Sequence, residues 1–203
     1  MACCTSLDDL GSGSRRWERR DIVCQLATVV PDVSPAVMWD VLTDLTAYPE
    51  WNPFAVCVGS SVSRPTPGVQ LHFTFDWSAS RAGGSCLLPR HTTELTRAAE
   101  APTAANRHRG RWSYTLDGCL RLAGVGESLH VHRVLPRGRG SVHTSTLYQK
   151  GIVPLIVPPD RMLACLSAAA DALAARCRER AAADSLGARR KNHQRLGGVV
   201  LYR

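Results

Sequence analysis

The chain has 203 residues, a formal net charge of +8 and 44% hydrophobic residues. This length suits one domain with tails, since domains cluster at about 100–200 residues, and no apolar run approaches the roughly 20 residues that a membrane-spanning helix needs. These properties predict a single soluble domain and argue against a membrane span.

The positive charge is concentrated at the carboxyl end. Residues 1–20 carry four Arg and three acidic residues, residues 21–185 carry 16 basic and 14 acidic residues, and residues 186–203 carry five basic residues and no acidic one. The body is therefore nearly neutral. We expect a disordered tail over 1–20, where the composition cannot bury enough apolar area to offset its ordering entropy, and a flexible basic tail over 184–203.

The eight cysteines are scattered over the whole chain, and the amino terminus lacks the apolar core of a secretory signal. Free thiols are expected, with Cys24, Cys57, Cys165 and Cys177 as small core residues. The sequence contains no Cys-x-x-Cys pair, so a structural zinc site is not expected. The expected location is cytoplasmic, with organellar import left open.

A strand and a capped helix come first in chain order. Apolar residues on one side of an extended segment predict a strand over 21–30. Ser34 and Pro35 follow as N-cap and first helical position. Apolar residues from Val37 to Leu45 recur at helical spacing. The prolines near the end of this segment stop the helix, because proline cannot donate a backbone hydrogen bond, so a short turn or second helix should follow.

The residues around this break carry a family resemblance. The pattern W-x-x-x-x-D-x-x-x-Y-x-x-W-N-P resembles the SRPBCC superfamily (START or Bet v 1-like), in its polyketide cyclase/dehydrase-like branch; its residues are Trp39, Asp44, Tyr48, Trp51, Asn52 and Pro53. A second similarity covers 130–136, 151–155 and the alanine-rich segment that follows. The resemblance spans roughly residues 21–180. It implies a helix-grip fold, in which a curved antiparallel sheet wraps around a long C-terminal helix and encloses a hydrophobic cavity.

The rest of the chain predicts further strands and one closing helix. Strands are expected over 55–63, 69–78, 91–97, 107–116, 128–135 and 141–150. Asp160 is expected to cap the last helix, whose apolar residues recur at spacings of three and four. Because the regular strand–helix alternation of a parallel sheet is missing, the pattern predicts an antiparallel α+β domain over 21–183.

Two of these segments supply candidate cavity walls. Apolar side chains alternate with polar ones over 69–78, and large rings fall on one side of the segment 107–116. An apolar cavity with a few polar groups suits a binding protein, although the same rings can fill a solid core. The candidate ligand-binding residues are Phe73, Phe75, Trp77, Trp112, Tyr114, Leu116, His143 and Tyr148.

Three histidines fall within the predicted hairpin 128–150. Two-residue alternation puts His130 and His132 on one face, and direct pairing around the turn puts Ser145 opposite His132, with His143 as a diagonal neighbour. The resemblance places this face inward, whereas a slip of one residue would expose all three imidazoles. Imidazoles are common zinc or iron ligands. Polar residues lining a pocket are the favoured interpretation, and no metal or other cofactor is expected.

Three functions follow from these features. The favoured function is binding, transport or sequestration of a small hydrophobic molecule such as a lipid or a polyketide-like compound. The second is a cyclase/dehydratase with His130 or His132 as general base and Tyr114 or Tyr148 as donor. The absence of a carboxylate pair, an activated nucleophile or a cofactor fingerprint weighs against it.

The third function is association with nucleic acid or an anionic membrane through the basic residues Arg189, Arg190, Lys191 and Arg195. A solvated run of charges is the ordinary outcome for such a segment, so no specific nucleic-acid partner is expected. The sequence leaves the oligomeric state open.

Overall fold

The computed structural model describes residues 22–78, 88–117 and 124–196, with side-chain surroundings as far as residue 187. The predicted tail 1–20, most of the loop 79–90 and residues 197–203 lie outside the described residues. The strands are β1 (Ile22–Val30), β2 (Ala55–Ser60), β3 (Gln70–Phe75), β4 (His91–Glu100), β5 (Gly110–Asp117), β6 (Gly126–Arg137) and β7 (Gly140–Gly151). The helices are α1 (Pro35–Thr43), α2 (Tyr48–Trp51), α3 (Val153–Ile156) and α4 (Pro159–Leu196), with a 3-10 turn at Leu45–Ala47.

The strands form one antiparallel sheet in the order β1-β7-β6-β5-β4-β3-β2. Successive strands from β2 to β7 are neighbours, while β1 crosses over to pair with β7. The sheet curls into a half-barrel against the long helix α4, whose buried Leu173 and Cys177 belong to the same core as Phe73 and Trp112. The predicted antiparallel α+β helix-grip fold is confirmed.

Helix α1 begins as the sequence predicts. Ser34 Oγ accepts a hydrogen bond from the Val37 amide at 3.3 Å, and Pro35 occupies the first turn. The side chains of Met38, Val41 and Leu42 are buried on one face. The helix therefore starts from a local capping signal and is held by its apolar face.

The aromatic and proline motif after α1 joins the short helices to the sheet. Tyr48 Oη donates to the Leu42 carbonyl at 2.9 Å, and Asn52 Oδ1 accepts from the amides of Phe54 and Ala55 at 2.9 Å each. These bonds satisfy buried backbone groups where α2 passes into β2. The motif is thus in large part architectural.

A close approach between α1 and β5 depends on a glycine. A Cβ atom added at Gly110 would lie 2.6 Å from ring carbon Cε3 of Trp39, well inside van der Waals contact. Only a residue without a side chain lets the Trp39 ring pack flat against this end of β5.

Helix α4 differs from the prediction at its end. The helix continues to Leu196, through residues 184–196 of the segment expected to be a flexible tail. Side chains from Ala182 to Gly187 are exposed, so this part of α4 extends beyond the sheet without a packed face. None of the helices in the described ranges combines the length and hydrophobicity that crossing a bilayer requires.

The cysteines also differ in part from the prediction. Cys24, Cys165 and Cys177 are buried, as expected of small core residues. Cys57 is exposed, because the edge strand β2 turns this side chain away from the core. The prediction that Cys57 is a core residue is wrong.

Candidate ligand-binding site

A cavity of about 340 Å³ lies between the curled sheet and α4. One wall is aromatic. The rings of Phe54 and Phe75 stack with centroids 4.7 Å apart, and Trp77 meets Phe54 edge-on at 5.0 Å. Phe73 stacks on Phe75 at 5.7 Å and lies 5.2 Å from Tyr114. Such a surface favours apolar and aromatic ligands, since ring contacts add to the free energy of burial.

Helix α4 closes the cavity opposite the sheet. Its contribution is apolar and comes from residues at helical spacing; these are Met162, Leu166, Ala169, Ala170 and Leu173. The small side chains of the two alanines leave room next to the sheet that a larger residue would fill. Part of the apolar stripe predicted for this helix therefore forms a wall of the cavity, while Leu163, the first residue of that stripe, is exposed.

The inner faces of β5, β6 and β7 form a second, polar wall. Tyr114 pairs directly with His130, and His132 pairs directly with Ser145. The register of the hairpin is the one that the sequence predicts, so His130, His132 and His143 share a face. All three histidines line the cavity and are at most 8% exposed.

The polar wall is held together by a continuous chain of hydrogen bonds. His143 Nε2 lies 3.0 Å from His132 Nδ1, and His132 Nε2 lies 3.4 Å from Tyr114 Oη. Tyr114 Oη lies 2.8 Å from His130 Nδ1, and His130 Nε2 lies 2.6 Å from Ser145 Oγ. Both ring nitrogens of His130 and His132 therefore have partners, which is the condition for burying polar groups at low cost.

Burial keeps these imidazoles neutral. Desolvation lowers the pKa of His130 to about 3 and that of His143 to about 4, and His143 also lowers the pKa of His130. The pKa of His132 falls well below its usual range because of burial and its two histidine neighbours. A neutral imidazole donates through one nitrogen and accepts through the other. The chain therefore has two consistent polarities, one running from His143 to Ser145 and the other in reverse.

Glu94 on β4 is a cavity-lining acid that the sequence interpretation missed. It is 8% exposed and lies between Leu71 on β3 and Leu116 on β5 in the sheet. Thr92 Oγ donates to its Oε1 at 3.3 Å. Desolvation, together with the charge of Asp117, raises the pKa of Glu94 to about 8. This carboxyl is therefore mostly protonated at neutral pH.

Two further polar atoms at the cavity have no hydrogen-bond partner in the described structure. They are Oε1 of Gln149, an acceptor, and Nε1 of Trp51, a donor. Buried polar groups are rarely left unpaired, because each costs free energy of desolvation. A ligand with complementary groups would satisfy them.

Most of the residues predicted to bind a ligand line the cavity. They are Phe73, Phe75, Trp77, Tyr114, Leu116 and His143, and the two candidate catalytic residues, His130 and His132, line it as well. Trp112 lies on the same face of β5 as Tyr114 but is fully buried in the core, with its ring 5.2 Å from that of His132. Tyr148 lies on the opposite face of β7, where it packs with Leu129 and Val131, because side chains alternate along a strand. It does not line the cavity.

Histidine, cysteine and acidic side chains nowhere form a group of three arranged to hold a metal ion in the described ranges. At the polar wall both ring nitrogens of His130 are hydrogen-bonded, to Tyr114 and Ser145, and both ring nitrogens of His132 are hydrogen-bonded, to Tyr114 and His143. We therefore interpret the three histidines as a hydrogen-bonded wall.

No protein-family model and no curated protein matches the sequence. Solved structures do match. A hypothetical protein from Helicobacter pylori has a TM-score of 0.61 at 12% identity, covering 86% of this chain and 98% of its own. A norcoclaurine synthase point mutant from Thalictrum flavum has a TM-score of 0.51 at 19% identity, covering 77% and 92%.

A major latex-like protein from Panax ginseng has a TM-score of 0.52 at 9% identity, covering 75% of this chain and 94% of its own. At such low identities the likeness concerns architecture alone. It shows that the chain has the Bet v 1-like helix-grip fold that these proteins share.

Proposed function

We propose that the protein binds a small hydrophobic molecule in the cavity between the sheet and α4. The observation that carries the proposal is an apolar cavity of about 340 Å³, within the size range of small-molecule sites, with a few polar groups on one wall. Aromatic rings on β3 supply contact area, and the neutral hydrogen-bonded wall adds polarity without charge. Transport or sequestration of the ligand would follow from such binding.

Two kinds of experiment test the proposal. Ligands extracted from the purified protein can be identified by mass spectrometry, and titration with lipids and polyketide-like aromatics can be followed by the fluorescence of Trp51 and Trp77, which line the cavity. We expect saturable binding and quenching or enhancement of this fluorescence. A panel without any saturable binding contradicts the proposal.

Filling the cavity gives a matched control. Ala169 lines the cavity on α4, whereas Ala175 is exposed on the same helix. The variant Ala169→Phe should weaken ligand binding at least about tenfold, since a phenyl group occupies part of the ligand's space. Ala175→Phe should bind as the unmodified protein does. Equal affinities in the two variants would place the ligand elsewhere.

The second candidate is an acid–base enzyme of the cyclase/dehydratase type, as the resemblance to the polyketide cyclase/dehydrase-like branch suggests. The hydrogen-bonded chain of His143, His132, Tyr114 and His130 supports it, because reversing the chain's polarity accepts a proton at one end and releases one at the other. Weighing against it, imidazoles with a pKa near 3 or 4 are weak bases at neutral pH. Binding is therefore the favoured function.

Incubation with polyketide-like poly-β-ketones tests this candidate. If the protein catalyses cyclisation or dehydration, His130→Gln or His132→Gln should lower kcat by about 100-fold or more, the usual contribution of a general base. Turnover that survives both substitutions would remove the histidines from the mechanism.

A further inference from the structure

The charges at the cavity differ in sign from those of the whole protein. Within the described residues the cavity lining contains Glu94 and Asp117 and neither Arg nor Lys, although the chain carries a formal net charge of +8. Asp117 lies at the end of β5, where Gln70 Nε2 donates to its carboxylate at 2.8 Å. Glu94 is the buried acid of the pair. The cavity thus offers a bound ligand two carboxyl groups, of which Glu94 must lose its proton to become charged, and no cationic side chain among its described members.

A ligand carboxylate would have no partner of opposite charge on these walls. Burying a charge without a partner costs far more than burying a neutral polar group. The indole N–H of Trp51, which lacks a partner, is a neutral donor and offsets only part of that cost. Fatty acids and other carboxylates should therefore be poor ligands.

An ammonium group meets the opposite situation. The carboxylate of Glu94 would pair with it, and the cavity presents the faces of several aromatic rings, which attract cations. Gln149 contributes a buried acceptor, Oε1, that has no partner in the described structure and suits an N–H or O–H donor elsewhere on the ligand. We propose that the natural ligand is a hydrophobic amine whose ammonium group is bound by Glu94. This inference rests on the proposed function and narrows its ligand class.

Pairing changes the protonation of Glu94. The free carboxyl is mostly protonated near pH 7, because burial and Asp117 raise its pKa to about 8. A bound ammonium lowers that pKa, so the proton leaves to the buffer as the ion pair forms. The other titratable groups that line the cavity are Tyr48, His91, Tyr114, Asp117, His130, His132 and His143. Binding should therefore release up to one proton per amine.

Three probes of one shape test the ligand class. Phenylbutylamine, phenylbutanol and phenylbutanoate share a hydrophobic body and differ in head group. Calorimetric titration at neutral pH should show the amine binding at least about tenfold more tightly than the carboxylate, with the alcohol between them. Carboxylate binding equal to or tighter than amine binding overturns the inference and leaves the proposed function standing. Lack of binding by all three overturns both.

Substitution of Glu94 tests whether its carboxyl is the group that binds the ammonium. Glu94→Gln keeps the shape and removes the group that can become charged, so the preference for the amine over the alcohol should disappear while the alcohol still binds. Glu100→Gln, an exposed position on the same strand, should leave the preference intact. Repeating the amine titration in buffers of different protonation enthalpy should show proton release for the unmodified protein and none for Glu94→Gln. An unchanged preference or unchanged proton release in Glu94→Gln overturns the assignment to this residue.

Discussion

The two walls of the cavity reach burial by different routes. The aromatic wall of Phe54, Phe73, Phe75 and Trp77 loses little when it leaves water, because its surface is apolar. The polar wall of Tyr114, His130, His132, His143 and Ser145 is tolerated because its members bond to one another. The polar groups of this cavity are thus neutral on the histidine side, and its acidic groups are Glu94 and Asp117. A change of pH should therefore change the protonation of groups on the polar wall and at Glu94, and leave the aromatic wall unaffected.

The largest expected effect is acid unfolding driven by the polar wall. The three histidines have folded pKa values below the ordinary 6.5, so the unfolded chain binds more protons and stability falls as the pH drops from about 6.5 towards 4. Each contributes up to about 1.4 kcal/mol per pH unit. Urea unfolding at several pH values should show this loss, and His143→Asn should make the slope shallower. A flat profile would mean that the imidazoles are not buried.

The next effect concerns Glu94 and has the opposite sign. The pKa of Glu94 in the folded protein, about 8, lies above the ordinary value of 4.5. Between these two values the folded state keeps a proton that the unfolded chain has lost. The contribution of Glu94 to the free energy of unfolding therefore falls as the pH rises from about 4.5 to 8. Glu94→Gln should therefore stabilise the unliganded protein at pH 7, by about 3 kcal/mol at most. Glu100→Gln should change little, and a destabilised Glu94→Gln variant at pH 7 would contradict the account.

A smaller expected effect is the loss of stability when one residue of either wall is substituted, because only the polar wall loses hydrogen bonds. Tyr114→Phe keeps the ring and removes the hydroxyl between His130 and His132, so it leaves two imidazole nitrogens without that partner and should cost about 1–3 kcal/mol. On the aromatic wall Phe75→Leu exchanges one apolar group for another and should cost about 1.5 kcal/mol. The two unfolding free energies should also differ in pH dependence, because only Tyr114→Phe touches titrating groups. Identical pH profiles would show that the histidines do not depend on Tyr114.

The smallest effect lies outside both walls. Deleting residues 187–203 should leave hydrophobic-ligand binding unchanged, since the described side chains of α4 from 182 to 187 are already exposed. It should also remove any salt-sensitive binding to nucleic acid or anionic vesicles, which five basic residues would support. Ligand affinity can be compared with the full chain by fluorescence titration. Loss of ligand binding on deletion would make this segment part of the domain.

The sequence predicts which way the histidines of the polar wall point, but it does not predict the orientation of Glu94. His132 faces Ser145 as expected, because a short hairpin turn fixes the register and alternation then fixes the face. Glu94 escaped notice because β4 is a polar segment in which Leu95 suggests the opposite face. The side chain of Glu94 points inward only because β3 and β5 pair with β4 in the observed register. Such long-range pairing leaves no local signal.

Two other differences have separate causes. The position of Tyr148 can be predicted from the sequence, because His143, Ser145 and Leu147 share one face of β7 and alternation puts Tyr148 on the other face. The continuation of α4 to Leu196 cannot be predicted in this way, since Gly187 and the loss of apolar periodicity both suggest that the helix ends earlier. Helix-favouring Arg, Lys and Gln residues in this segment are compatible with the continuation.

The central claim is that a small hydrophobic molecule binds between the aromatic wall, the polar wall and α4. A crystal structure of the protein with phenylbutylamine tests it most directly. The account predicts the phenyl ring against Phe75 and Trp77 under Ala169, with the nitrogen within hydrogen-bond distance of the Glu94 carboxylate. A ligand bound at saturation on the outer surface, with the cavity unchanged, would contradict it.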